Sequence, residues 1–333
     1  MSDTRGDGAS VVERTQPVAA GGAIVAVHFL DHTAAFVLGE EALLFAEPTG
    51  EERRLSVHDG AILAAASDGM RIVTGGDDGK LVATDLGSNR VLATDPKHRW
   101  IDHVALGPNQ AVAWSAGKTA FVQGQQLRQL DLPSTVGGLT FLPKGFRVAV
   151  AHYNGATLWF ANAPQTEPEK LEWKGSHLGV ISSPDGRFLV TTMQEPMLHG
   201  WRLVDRQHMR MSGYESRVKS LSWSAGGRWL ATSGSPQLIL WPFQTRDGPI
   251  GKAPRLMTPA PHRVEVVACH PGLDIAAVGY ADGMVLLVRI DDGAEVLGRK
   301  PDESAVSALA WSADGTRLAF GTDSGAAGVI DLS

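Results

Sequence analysis

The sequence predicts an all-β protein of short strands. Three observations support this prediction: the chain has 38 glycines, it has nine tryptophans against three tyrosines, and one unit recurs along its length. The unit is an apolar segment, a turn rich in Ser, Pro, Asp and Gly, a second apolar segment, a Gly/Asp turn, and a third segment that often ends in Trp. Gly and Asp permit the positive φ angles of tight hairpins, and regularly placed aromatic residues are typical of short strands.

Eight copies of the unit follow one another along the chain. Six are clear, and they occupy residues 63–85, 136–159, 180–201, 217–241, 264–290 and 306–332. Two weaker copies, at 24–45 and 101–122, keep the same rhythm. The copies begin near residues 24, 62, 101, 136, 180, 218, 264 and 306. These intervals scatter around the ~40–45 residues of one four-stranded propeller blade, so the period predicts a β-propeller.

Two segments carry a family resemblance. LSWSAGGRWLATSG (221–234) and IVTGGDDGKLVATD (72–85) resemble the strand–turn–strand signature of WD40 repeats. Taken over all copies, the resemblance covers residues 18–333. It implies an all-β, WD40-like propeller of four-stranded blades. We expect eight blades, and seven is the alternative if a weak early copy is misread.

The ends of the chain bear on how the ring closes. The last copy reaches Ser333 after only three segments, which leaves one blade a strand short. Val11–Gln16 can supply the missing outer strand, and pairing of the first and last strands removes an open sheet edge. We therefore predict a single propeller domain over residues 11–333, closed by the N-terminal strand, after a flexible N-terminus at residues 1–10.

The WD40 resemblance also implies a hydrogen-bonded set in each blade. Its members are a Trp that ends the third strand, a Ser or Thr, a His before the first strand and an Asp in the second turn. The chain keeps this set in pieces, and the candidate members are Trp159, Trp201, Trp241, His58, His177, His262, Asp78, Asp282 and Asp323. No copy shows all four members, so we expect packing to stabilise the blades more than this network does.

A binding face is predicted where two kinds of loop emerge together, on the narrower face of the propeller. The candidate partner-binding residues before first strands are Arg99, Trp100, Tyr214, Arg217 and Arg263, and those in second turns are Tyr153, Glu195 and Tyr280. Trp, Tyr and Arg are the residue types that anchor interfaces. The alternative for each residue is packing onto a neighbouring loop.

The sequence predicts no catalytic residue, no cofactor and no metal site. Cys269 lies in the apolar run VEVVACHP, which is typical of a buried cysteine, and neither a G-x-S-x-G nor an H-E-x-x-H motif occurs. The segment GGDDGK at 75–80 lacks the spacing of a phosphate loop. One alternative stays open: a small-molecule-binding or metal-binding propeller, with or without enzymatic activity, that uses the channel mouth near His28 and His103.

Composition narrows the class of partner. The net charge is −6 with a pI near 6.0, which argues against binding to nucleic acid or to an anionic membrane surface. The only cysteine is Cys269, and the N-terminus lacks the apolar core of a secretory signal. We therefore expect a cytoplasmic, monomeric, non-catalytic scaffold that binds other proteins.

Overall fold

The computed structural model describes residues 10–333, and the regular secondary structure in this range is almost entirely antiparallel strand. Three short 3-10 helices also occur in this range, at Val11–Arg14, Pro108–Gln110 and Ala225–Gly227. Thirty strands, β1 to β30, follow in chain order within the described residues.

The first thirteen strands cover residues 15 to 131. They are β1 (Thr15–Ala19), β2 (Ile24–Leu30), β3 (Thr33–Leu38), β4 (Ala42–Ala46), β5 (Glu52–Ser56), β6 (Ile62–Ser67), β7 (Ile72–Gly76), β8 (Lys80–Thr84), β9 (Asn89–Thr94), β10 (Val104–Leu106), β11 (Val112–Ala116), β12 (Thr119–Gln123) and β13 (Leu127–Asp131).

The remaining strands cover residues 138 to 331. They are β14 (Gly138–Phe141), β15 (Arg147–Phe160), β16 (Glu169–Ser182), β17 (Phe188–Met193), β18 (Leu198–Arg202), β19 (Gln207–Met211), β20 (Leu221–Trp223), β21 (Trp229–Thr232), β22 (Leu238–Pro242), β23 (Arg255–Met257), β24 (Val264–Cys269), β25 (Ile275–Tyr280), β26 (Val285–Arg289), β27 (Glu295–Arg299), β28 (Val306–Trp311), β29 (Arg317–Thr322) and β30 (Ala326–Asp331).

The strands of the described chain form seven hydrogen-bonded sheets. Five sheets each contain four consecutive strands: β2–β5, β6–β9, β10–β13, β20–β23 and β24–β27. A sixth joins β28, β29 and β30 to β1, and the seventh contains the six strands β14–β19. The prediction of eight separate four-stranded blades is therefore wrong.

The merger occurs between the sequence copies that begin near residues 136 and 180. β15 and β16 are each 14 residues long. They pair from Leu158↔Glu169 to Gly155↔Glu172 and again at Tyr153↔Ser176, so backbone hydrogen bonding continues from one copy into the next. The alternative of seven blades agrees with the number of sheets, but its reason, a misread early copy, is wrong. The two weak early copies form sheets of their own, and two middle copies share one.

The first strand of each copy lies beside that of the next. Contacts link β2 with β6 and β28, β10 with β6 and β14, β14 with β16, and β24 with β20 and β28. The six-stranded sheet β14–β19 meets the sheet β20–β23 through a core cluster in which Phe188 and Val190 pack with Leu230 and Trp241. The sheets therefore succeed one another around a central axis.

The two ends of the described chain meet in one sheet. β1 pairs antiparallel with β30, from Thr15↔Ile330 to Ala19↔Ala326. The predicted outer strand Val11–Gln16 is wrong in its first four residues, which form a 3-10 helix. The Ser10 N–H donates to Glu13 Oε2 (3.0 Å) and the Glu13 N–H donates to Ser10 O (2.8 Å), and this local turn replaces sheet pairing. Residues 1–9 of the predicted flexible N-terminus lie outside the described residues.

Strands in the middle of each sheet are buried on both faces. Every residue of β3, β4 and β17 is buried, as the near-continuous apolar runs of the sequence predict. The three predicted Trp residues are also buried, with exposed fractions of 7% for Trp159, 2% for Trp201 and 5% for Trp241. Each ring contributes apolar area to a cluster between or within sheets.

One copy keeps most of the predicted hydrogen-bonded set. His58 Nδ1 lies 3.0 Å from Asp78 Oδ1, and His58 Nε2 lies 2.8 Å from Thr74 Oγ1. Asp78 also accepts the backbone N–H groups of Asp59 and Lys80. Because a carboxylate can only accept, Nδ1 carries the proton. Thr84 occupies the position of the Trp, opposite Ile72, so the set has three members instead of four.

A tyrosine replaces the histidine in another copy. The Tyr214 hydroxyl lies 2.9 Å from Thr232 Oγ1 and accepts the indole N–H of Trp241 at 2.7 Å. His177 fills the histidine position in a third copy: its Nδ1 lies 2.7 Å from Thr191 Oγ1 and its Nε2 lies 3.0 Å from the Trp173 carbonyl oxygen. Different copies therefore use different side chains to form hydrogen bonds with the buried polar groups at this position.

Removing the His58 side chain tests how much its hydrogen-bond network contributes to the free energy of unfolding. His58→Ala leaves Thr74 and Asp78 without their buried partner, so we expect a loss of about 2–3 kcal/mol in the free energy of unfolding. Urea unfolding followed by tryptophan fluorescence measures this. The control is His262→Ala, because His262 is exposed and its loss should cost under about 0.5 kcal/mol. Equal effects of the two substitutions would contradict the assignment.

His199 makes stability sensitive to acid. Its ring is fully buried and stacks on Trp173 with 4.1 Å between centroids, and both ring nitrogens lack a hydrogen-bond partner within residues 10–333. Burial, followed by the nearby His177, His208 and Arg210, lowers the pKa of His199 to about 3. The unfolded chain therefore binds this proton more readily than the folded one below about pH 6.5.

Stability should accordingly fall as the pH drops from about 6.5 towards 3. At pH 5 the His199 contribution is about 2 kcal/mol. We expect His199→Phe, which keeps a ring beside Trp173, to remove that part of the pH dependence in denaturant unfolding at pH 7 and pH 5. His32→Phe serves as the control because His32 is exposed. A slope unchanged by His199→Phe would refute the prediction.

Candidate partner-binding face

Loops before first strands interlock with second turns of the preceding sheet. The backbone N–H groups of Ile101, Val136 and Val264 donate to the carbonyl oxygens of Gly76, Gly117 and Ser235, at 3.1, 2.9 and 2.9 Å. Both kinds of loop therefore emerge on one side of the ring. We call this side the loop face; its segments discussed below are 95–101, 133–137, 212–220, 258–265, 77–79, 153–155, 194–197, 281–283 and 323–325.

Two aromatic side chains project from the loop face. Trp100 has 62% of its surface exposed and Tyr153 has 56%. The Tyr153 N–H donates to Ser134 Oγ at 2.9 Å, which ties its turn to the loop before β14. Asn154 follows with a φ of 65°, a left-handed conformation that suits Asn in a tight turn. Exposed Trp and Tyr on fixed turns are the residue types that anchor protein interfaces.

An ion pair holds the loop that carries Trp100. Arg99 Nη2 lies 2.7 Å from Asp95 Oδ2, and Asp95 Oδ1 also accepts the backbone N–H groups of Lys97 and Arg99. The hydrogen bond and charge of Asp95 raise the pKa of Arg99. The guanidinium therefore stabilises its own loop while it stays partly exposed, and Trp100 follows it in that loop.

Three charged candidates are exposed on the loop face: Glu195, Arg217 and Arg263. Arg217 Nη1 lies 3.4 Å from Gln194 Oε1, beside Glu195. Arg263 Nε donates to Glu265 Oε1 at 2.8 Å. These contacts are at the surface, where ion pairs are weak, so the side chains can exchange them for contacts to another molecule.

Tyr214 and Tyr280 are wrong as partner-binding residues, because both are buried. Their exposed fractions are 7% and 0%. Tyr214 belongs to the network with Thr232 and Trp241, and the Tyr280 hydroxyl donates to the Thr258 carbonyl oxygen at 2.7 Å. Burial raises the pKa of Tyr280 to about 12. The sequence signal for Tyr214 was its position before a first strand, where other copies have His.

The remaining predicted structural residues occupy varied surroundings. His262 is exposed. Asp282 accepts the Met284 N–H at 3.1 Å and Asp323 accepts the Ser304 hydroxyl at 3.3 Å, so both stabilise turns. Of the candidate His and Asp residues, which all lie within residues 10–333, His58 and Asp78 are the pair in direct contact.

Two cavities open where the first strands reach the loop face. One, of about 470 Å³, is lined by Val25, Ala26, Leu63, Ala64, Ala65, Asp102, His103, Val104, Gly137, Gly138, Leu139, Leu178, Gly179 and Val180. The other, of about 610 Å³, is lined by Lys219, Ser220, Arg263, Glu265, Val266, Ala281, Ala305, Val306, Ser307 and Asp323. Together they surround the channel mouth. Sequence reasoning named His103, Arg263 and Asp323 among these residues and missed the rest.

The chemistry near Cys269 is that of an unreactive thiol. Burial raises the pKa of Cys269 to about 12, so the thiolate is not formed at neutral pH.

Within residues 10–333, no three His, Cys, Asp or Glu side chains converge as a metal site would require. Every helix in that range is too short or too polar to span a bilayer.

Comparisons with known proteins point to one repeat family. Residues 267–333 match the profile described as the anaphase-promoting complex subunit 4 WD40 domain, and residues 206–241 match the WD domain, G-beta repeat. Among curated proteins, telomerase protein component 1 of Rattus norvegicus is 26% identical over 223 residues, which is 65% of this chain. The chain spans only 8% of the length of that relative.

Solved structures share the architecture. The computationally designed Ika8 protein superposes with a TM-score of 0.76 at 18% identity, over 93% of this chain and 96% of its own. The structure of U3-55K gives a TM-score of 0.63 at 13% identity, over 96% and 99% of the two chains. At such identities the likeness concerns the fold. The two profile matches, together with the ring of sheets, identify this chain as a β-propeller with WD40 repeats.

Proposed function

We propose that this propeller is a non-catalytic interaction module that binds another protein through its loop face. The observation that carries the proposal is the exposure of Trp100 and Tyr153, 62% and 56%, on turns fixed by hydrogen bonds. Burying large rigid aromatic groups on contact with a partner yields binding energy at a small cost in side-chain order.

Charged groups, mostly on other loops of the same face, support the proposal. Arg217, Arg263 and Glu195 are exposed, and Arg99 is partly exposed beside Trp100. Charged rims of this kind steer encounter and set specificity more than affinity. We propose Arg99, Trp100, Tyr153, Glu195, Arg217 and Arg263 as the partner-binding residues.

Rigidity favours a platform over a mobile binding loop. The interlocking bonds between the loops before first strands and the second turns hold the loop face in place before any partner arrives. A preorganised surface loses less conformational entropy on binding. We further propose that the module acts as a monomer in the cytoplasm, without binding nucleic acid or membrane.

A paired substitution tests the face. Trp100→Ala combined with Tyr153→Ala should lower recovery of specific partners from native cells at least ~10-fold, as expected for the loss of two interface anchors. Crosslinking and quantitative mass spectrometry measure the recovery.

The matched control is Met70→Ala. Met70 is 70% exposed but sits in a turn between first and second strands, β6 and β7, away from the loop face. Partners that are lost equally from both variants, or retained by the paired variant, would count against a loop-face interface. A circular dichroism melt of each variant checks that the fold is intact.

A further inference from the structure

Five first strands carry the same irregularity near the loop face. Register shifts interrupt the pairing between residues 24 and 26, 62 and 64, 177 and 179, 264 and 266, and 306 and 308. The residues inside these shifts are Val25, Leu63, Leu178, Glu265 and Ser307, and each lines one of the two cavities. A β-bulge redirects a side chain and occurs beside functional sites. The repeated bulge therefore turns one side chain per strand towards the channel mouth.

Nine of the fourteen residues that line the 470 Å³ cavity are aliphatic. Val25 is 48% exposed and Leu63 is 37% exposed, although both belong to strands of the fold rather than to surface loops. Leu178 and Val180 continue the wall on the far side. Aliphatic side chains left open in a concavity favour contact with apolar parts of a ligand.

Asp102 is the acidic side chain in that wall. Its Oδ1 accepts the Ser115 hydroxyl at 2.7 Å, and its side chain is 35% exposed. The His103 Nε2 atom lies 4.0 Å from Asp102 Oδ1, but burial of the ring lowers the pKa of His103. The imidazole is therefore mostly neutral at pH 7. Across residues 10–333, no lysine or arginine forms an ion pair with Asp102. The cavity thus holds a carboxylate without a cation.

The second cavity differs from the first in its charged groups. Its two cations, Lys219 and Arg263, both approach Glu265: Lys219 Nζ lies 3.6 Å from Oε2, and Arg263 Nε lies 2.8 Å from Oε1. Asp323 lines the same cavity and accepts a serine hydroxyl, as Asp102 does. Positive and negative groups are equal in number there, so the uncompensated charge lies in the first cavity.

We infer that the first cavity binds a lysine or arginine side chain of a partner's linear segment, with Asp102 as its counter-charge. This inference rests on the proposed function and assigns the chemistry of one subsite to it. The methylene stem of such a side chain packs against Val25 and Leu63, while the cationic head reaches the carboxylate. A charge-assisted hydrogen bond in a partly desolvated mouth is stronger than one at an open surface.

A displayed library of random linear peptides tests the inference on the intact chain. Selection against the wild-type protein should enrich peptides that share a Lys or Arg at one position. Asp102→Asn keeps an oxygen that can accept the Ser115 hydroxyl and removes only the charge. It should weaken those peptides at least ~10-fold in fluorescence anisotropy. Replacing the Arg by citrulline, or the Lys by norleucine, should weaken them equally.

Asp323→Asn is the matched control, because Asp323 also accepts a serine hydroxyl but lies in the charge-balanced cavity. It should leave the affinity within ~2-fold, a change below what an ion pair contributes. Selected peptides without a common cation, or with affinity indifferent to Asp102→Asn, overturn the cation subsite. If those peptides still lose affinity to the Trp100 and Tyr153 variant, the proposed function stands without the subsite. A selection that yields no peptide also overturns the subsite, whereas partner recovery by crosslinking judges the proposed function separately.

Discussion

The packing of each sheet against two neighbours is the constraint on which the rest of the structure depends. Strands such as β3, β4 and β17 are buried along their whole length, so both faces of their sheets must be covered. A sheet with two apolar faces has no stable solvent-facing side. A ring covers every sheet from both sides, and the pairing of β1 with β30 joins the two ends of the described chain in one sheet.

Close packing also sets where glycine is needed. A Cβ on Gly75 would lie 2.4 Å from the Ile101 carbonyl oxygen, and one on Gly138 would lie 2.8 Å from the Gly179 Cα. Gly75 approaches the loop before the next first strand, β10, and Gly138 of β14 approaches the first strand of the following copy, in β16. The second point lies between the two copies that share one sheet through the pairing of β15 with β16.

Three copies satisfy buried polar groups near the loop face with different side chains. His58 with Asp78, Tyr214 with Trp241, and His177 with the Trp173 carbonyl oxygen each satisfy buried donors and acceptors near the loop face. The cost of an unsatisfied buried polar group constrains the number of hydrogen bonds, not the residue types that make them. Such networks hold the loops in place. Trp100 and Tyr153 remain exposed on these loops, whereas Tyr214 and Tyr280 are buried.

Turn residues and apolar runs are local signals, so the fold class, the repeat and its period could be predicted from the sequence without knowledge of neighbouring segments. The sequence also placed Trp100 before a first strand and Tyr153 in a second turn, and the structure exposes both side chains there. The sequence could not separate these from Tyr214 and Tyr280, since burial depends on what another sheet brings near. The structure was needed to reveal the merger of two copies through β15 and β16, and the bulges that turn Val25 and Leu63 into the mouth. Both depend on the exact register between paired strands, which the repeat pattern does not encode. The 3-10 helix in place of an initial strand has a local cause, the hydrogen bonds between Ser10 and Glu13, which the repeat pattern concealed.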